Sequence, residues 1–149
     1  MQKTIKQTMR EFFEEQEKKL AVRTLAYHKD ALDMLEHSIN GYCPNGLDDE
    51  NYKKWQKNYD KGIEYCDTFG PEFIRDSDFA EFLGYFYPKK AAAGRDSARK
   101  ICGATINYFK WMIMKKYIKL EEDDDAVELS EAVGYLRASF KDGMDEYCG

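Results

Sequence analysis

The chain has 149 residues, 43% hydrophobic and 34% charged, enough apolar content for one domain with a core and too much for a disordered chain. Residues Met1 to Phe13 hold no apolar stretch of the secretory kind, and no later run is long enough to cross a bilayer, so a cytoplasmic protein with no membrane partner is expected. Cys43, Cys66, Cys102 and Cys148 lie far apart without a CxxC pair. They read as free thiols, three of them packed as small hydrophobes, and a zinc site built from them with His28 and His37 is not expected.

Helical spacing runs through almost the whole chain. Ile5, Met9, Phe12 and Phe13 mark one face of a first helix, and Leu25, His28, Leu32, Leu35 and Ile39 mark a second that ends at Asn40-Gly41. Cys43-Pro44-Asn45-Gly46 reads as a turn. Asp48 or Asp49 can cap a third helix with Tyr52, Trp55, Tyr59, Ile63 and Cys66 inward. Phe69-Gly70-Pro71 stops it, and Pro71 suits the first turn of a short helix. A fourth helix follows Asp76-Ser77-Asp78, with Phe79, Phe82, Leu83 and Phe86 as its stripe and Pro88 as its end. The pattern from Gly94 to Ile118 is the longest. An acidic connector, residues 121–125, leads to a last helix carrying Leu129, Ala132, Val133, Leu136 and Phe140 and closed by Gly143. No strand pattern competes, so the fold class is all-α: one domain, a compact bundle of about five to seven helices.

Charge is segregated along the chain. The net charge is −5, yet residues 88–119 hold nine Lys or Arg against one acid, a local +8. Residues 120–149 hold ten acids against two bases, a local −8. Projected at about 100° per residue, Arg99, Lys100, Gly103, Asn107, Lys110 and Met114 share one sector of the long helix, with Trp111 at its border. Ala98, Ile101, Cys102, Thr105, Ile106, Phe109, Met112 and Ile113 collect opposite, as a core face.

A cationic face with an amide and a ring beside it suits nucleic acid. Arg95, Arg99, Lys100 and Lys110 can neutralise phosphates, Asn107 can read base edges, and the Trp111 ring can pack on sugar or base. The plain alternative is a solvated face, or one partnered by the acidic segment that follows. The aromatic share of 15% adds another reading, a protein-interaction or self-association module. Tyr85, Tyr87 and Trp111 fall off the main stripes and are candidate exposed anchors for it.

Two blocks resemble the N-terminal core-binding (SAM-like) domain of tyrosine recombinases and phage integrases. In Phe13 to Leu35, Leu20-Ala21-Val22-Arg23-Thr24-Leu25-Ala26-Tyr27 is similar to the family's LSxxTxxxY helix opening. In Ser97 to Ile118, Tyr108-Phe109-Lys110-Trp111-Met112 and Lys116-Tyr117-Ile118 are similar to its FFxWL…GxI helix end. The resemblance implies a small helical bundle that clamps DNA. The chain departs from the pattern where Tyr27 follows Thr24 by three residues instead of four and where residues 42–75 make a long connection. It carries no Arg…His-x-x-Arg…Tyr catalytic constellation. Phe69-Gly70-Pro71-Glu72-Phe73-Ile74 and Glu81-Phe82-Leu83-Gly84-Tyr85-Phe86 further resemble a group of uncharacterised prokaryotic all-helical proteins, which implies no activity.

Catalytic chemistry is not expected. His28 sits on an apolar stripe and reads as a buried, hydrogen-bonded histidine, and His37 as a surface residue near a helix end. No Gly-rich phosphate loop, EF-hand spacing or Glu-x-x-His pair is present, so neither cofactor nor metal is expected.

Overall fold

The computed structural model describes residues 2–90, 94–120 and 125–147, with the side chains of 125–128 left aside. The described residues form an all-α bundle, and no helix among them is long and apolar enough to cross a membrane. Helix α1 (Ile5–Glu17) opens on a capping box: Thr4 Oγ1 accepts from the Gln7 amide at 3.2 Å, and Gln7 Oε1 accepts from the Thr4 amide at 2.9 Å. Ile5, Met9 and Phe12 are buried on its inner face. Helix α2 (Val22–Tyr42) buries His28, Leu32, Leu35 and Ile39, as its spacing predicts. It runs past Asn40-Gly41 before the 3₁₀ turn Cys43–Gly46.

The third helix departs from expectation. Helix α3 (Asp49–Tyr59) is capped by Asp48, which accepts from the Asn51 amide at 2.8 Å, but it buries no residue. Gly62 takes a φ of 81° and the Ile63 amide bonds back to the Asn58 carbonyl, closing the helix. The apolar spacing continues through this glycine while the helix does not. Cys66 and Tyr65 are therefore buried in the separate helix α4 (Tyr65–Thr68), whereas Tyr52, Tyr59 and Ile63 stay exposed.

After a 3₁₀ turn at Pro71–Phe73 comes helix α5 (Asp76–Glu81), then a π-helical turn at Phe82–Phe86, then helix α6 (Tyr87–Lys90). Pro88 does not end this run. It has no N–H for the preceding turn, and the widened π turn just before it accommodates the ring. The Tyr87 amide bonds to the Phe82 carbonyl five residues back. The extra residue rotates the next helical turn by about 100°, so Tyr87 is buried and Phe86 only half-buried. This overturns the expectation that Tyr87 lies on an outer surface.

Helix α7 (Arg95–Met114) packs against α1, α2, α5 and helix α8 (Asp125–Tyr147). Its apolar face is wider than the projected one: Ala104, Tyr108 and Trp111 are buried along with Ile101, Ile106, Phe109 and Met112. Phe12, Tyr108, Trp111, Phe79 and Phe109 form a ring cluster with neighbouring centroids 5.0–6.1 Å apart. Thr8 Oγ1 donates to the Ile5 carbonyl at 2.6 Å, so the buried Tyr108 hydroxyl is the donor in its 2.8 Å bond to Thr8. Helix α7 stops at Met114, short of Ile118 where its pattern ends. Lys116 adopts a φ of 63°, and the Tyr117 amide returns to the Met112 carbonyl at 2.9 Å. The acidic connector lies outside the described residues except for Asp125, where α8 begins.

Gly143 does not close α8, which continues to Tyr147. It is where the α8 backbone meets the π turn: a Cβ added there would lie 2.2 Å from the Gly84 carbonyl oxygen. Gly143→Ala should therefore cost about 1–3 kcal/mol of stability, measured by urea denaturation, and an unchanged midpoint would mean the two backbones are not in contact. Lys116→Gly should add about 0.5–1 kcal/mol by removing a left-handed side-chain conformation, read in the same assay.

Candidate nucleic-acid interface

Four neighbours enclose α7 and leave one narrow strip of it open. Arg95, Arg99, Lys100, Asn107, Lys110 and Met114 are exposed along that strip, with Gly103 between them. Among the described residues, the ion pair made by these cations is Arg99 to Asp96, at 3.7 Å with both side chains largely in solvent. Such a pair contributes little. Lys100 extends its ammonium over the Tyr27 ring of α2, 5.1 Å from the centroid. Arg95 lies in the first turn of α7, where the helix dipole disfavours a cation, and Asp96 beside it offsets that. Gly94 supplies no side-chain cap. Among the described residues, the exposed acids Glu131, Asp142 and Asp145 of α8 make no ion pair with the strip.

Asn107 is held from beneath. Its Nδ2 lies 3.4 Å from Nε2 of His28, and Nδ1 of His28 lies 3.0 Å from the Thr24 carbonyl oxygen. His28 is buried, as its place on the apolar stripe predicts, and both ring nitrogens are engaged. His37 is exposed.

Trp111 is not part of the strip. It is 5% exposed, packed against Phe12 at 5.4 Å and Tyr117 at 5.6 Å, and its Nε1 donates to Glu15 Oε2 at 2.9 Å. Its ring is unavailable to stack on a base or to anchor a partner. A projection puts it at a border because it treats α7 as facing a single neighbour, whereas α1 covers the C-terminal half as well. Glu15 also lies 3.7 Å from Lys115. Glu11 accepts from the Tyr117 hydroxyl at 2.8 Å and from Lys3. Burial pushes the Glu11 carboxyl up, but those two hydrogen bonds outweigh it and hold it below the usual carboxylate range. The carboxylates of α1 thus engage Lys115 and end the free cationic strip near Lys110.

Cys148 lies outside the described residues, and the other three thiols are quiet. Burial pushes the Cys102 thiol up to about 11 and holds Cys43 and Cys66 well above the ordinary thiol range, so all three stay protonated at neutral pH. Among the described residues no three His, Cys, Asp or Glu side chains gather as a metal site. A groove of about 1010 Å³ bordered by Arg75, Asp76, Lys116, Lys119, Glu131 and Tyr135 carries charges of both signs.

The spacing of α3 places Tyr52 and Tyr59 inward, but both are exposed, while Trp55 between them is half-buried against the core. Tyr52, Trp55 and Tyr59 form a ladder on α3, with centroids 5.3 and 5.1 Å apart, and the two tyrosines are 41% and 51% exposed. Trp55 Nε1 is buried without a hydrogen-bond partner among the described residues. The signal that would have found the ladder is Gly62, which detaches it from the buried α4. No family model, curated protein or solved structure matches the chain.

Proposed function

We propose that the chain is a non-catalytic nucleic-acid-binding module that meets duplex phosphates with Arg95, Arg99, Lys100 and Lys110 of α7 and sets Asn107 toward the bases. The observation that carries this reading is the open strip itself: four cations along one helix, with no acidic partner from another helix among the described residues. Phosphate contacts of this kind position a protein on DNA, and an amide among them can read sequence. Support also comes from the placement of the two blocks that resemble the integrase core-binding domain. They fall on the end of α1 with α2 and on α7, which pack on each other. The left-handed Lys116 stands where that pattern has glycine, the residue that takes this conformation most easily.

The test is fluorescence anisotropy of labelled duplex titrated with the full chain across a salt series. Binding should weaken with salt by about 0.9 in log K per log salt for each phosphate neutralised. Lys100→Glu with Lys110→Glu should abolish or severely weaken binding, while the melting temperature stays nearly unchanged because both side chains are exposed. An unchanged isotherm would sink the reading, as would no binding of the unaltered chain at low salt.

The α3 ladder favours a second reading, a protein-interaction or self-association module. Three adjacent, tilted rings on a helix with no fully buried residue, Tyr52 and Tyr59 exposed and Trp55 half-buried between them, form the kind of aromatic surface that anchors interfaces. On this reading sedimentation at rising concentration should show dimers that Trp55→Ala with Tyr59→Ala removes. A monomeric mass throughout would eliminate self-association.

A further inference from the structure

We propose that Asn107 reads an adenine in the major groove, and that His28 is the positioning residue that turns its amide for the task; this rests on the nucleic-acid reading above. The orienting contacts start at Thr24, whose backbone carbonyl can only accept. A 3.0 Å bond to it requires Nδ1 of His28 to carry the ring hydrogen. In the neutral ring Nε2 is then an acceptor. Asn107, 3.4 Å away, must therefore turn its NH₂ inward and its carbonyl oxygen outward. The orientation of an exposed amide is in this way fixed by a buried carbonyl two groups away.

One hydrogen of the NH₂ is used on His28 and the other remains free beside Oδ1. The outward edge of Asn107 thus offers one acceptor and one donor side by side. Adenine shows the complement in the major groove, an N6 donor next to the N7 acceptor, while guanine shows two acceptors and cytosine a donor alone. His28 is 4% exposed and wedged against Phe12 at a centroid distance of 5.9 Å. The ring cannot turn away without disturbing the core, so the amide is set before the nucleic acid arrives. Such preorganisation spares the ordering cost a free surface asparagine would meet on binding. The cations flanking Asn107 on the same strip, Lys100 and Lys110, would hold the duplex while the amide reads it.

The experiment is selection from a pool of duplexes with randomised positions, using the full chain, followed by affinity measurements on the enriched sequence. The unaltered chain should enrich adenine at one position. Replacing that adenine with 7-deazaadenine, which lacks N7, should weaken binding about fivefold or more. Asn107→Ala should erase the preference and keep most of the salt-dependent affinity. Asn107→Asp, with acceptors only, should move the preference toward cytosine. His28→Phe, which keeps a ring against Phe12 but has no acceptor, should blunt the adenine preference at an unchanged melting temperature. If His28→Phe melts without cooperativity, the ¹⁵N shifts of His28 in the unaltered chain decide: a hydrogen on Nδ1 is required, and one on Nε2 overturns the proposal. A chain that binds no duplex defeats the nucleic-acid reading itself. One that binds duplex with no base preference, or keeps its preference in Asn107→Ala, leaves that reading intact and defeats this inference. Loss in Asn107→Ala with full retention in His28→Phe removes the positioning role.

Discussion

The enclosure of α7 is the constraint on which most of this structure depends. A helix packed by α1, α2, α5 and α8 has surface left only along one strip, and whatever the sequence places there must tolerate water. The rings at Tyr108, Phe109 and Trp111 are held inward, and the buried polar atoms have to find partners inside the fold. Tyr108 finds Thr8 and Trp111 finds Glu15, both on α1. These bonds fix α1 over the C-terminal half of α7. They also bring carboxylates against the last cations of the helix, so the open strip ends by the same contacts that complete the core.

A second constraint governs the other side of the bundle. The π turn at Phe82–Phe86 changes which residues face inward, exchanging Tyr87 for Phe86, and brings Gly84 to the surface of α8 at Gly143. Backbones approach this closely only where no Cβ intervenes. The proline that would break a regular helix here is carried past a turn already widened. Pro88 and the two glycines therefore act as one local arrangement, seating α5 and α6 against α8.

Much of this was legible in the sequence. The all-α class, the faces of α1 and α2, the buried His28 and the apolar side of α7 all follow from spacing at the helical period. Three misreadings extend a regular helix through a residue that changes its course, whereas Gly41, Pro88 and Gly143 read as helix ends that the structure runs through. Gly62 separates Tyr52 and Tyr59 from Cys66, the π turn brings Tyr87 inward, and Lys116 ends α7 early. Trp111 differs. Its burial depends on a second helix crossing α7, which no single-helix projection contains. The His28–Asn107 pair was likewise invisible, because its members stand far apart in the chain and meet only through packing.

The charge distribution gives the strip its particular character. A net charge of −5 repels nucleic acid at long range, but at physiological salt charges separated by more than about 8 Å are largely screened. A contacting phosphate is therefore governed by the cations within one screening length of it. The strip's cations are Arg95, Arg99, Lys100 and Lys110, while Glu11 and Glu15 are already engaged with Lys3, Tyr117, Trp111 and Lys115. On the proposed reading, the acidic surface elsewhere would slow approach and lower affinity for sites the strip does not fit. A protein so arranged would, on that reading, hold nucleic acid weakly wherever only phosphates are met. It would gain most from any additional contact that a base can offer, which would place the discriminating part of the interaction on Asn107, the exposed uncharged polar side chain between Lys100 and Lys110 on the strip.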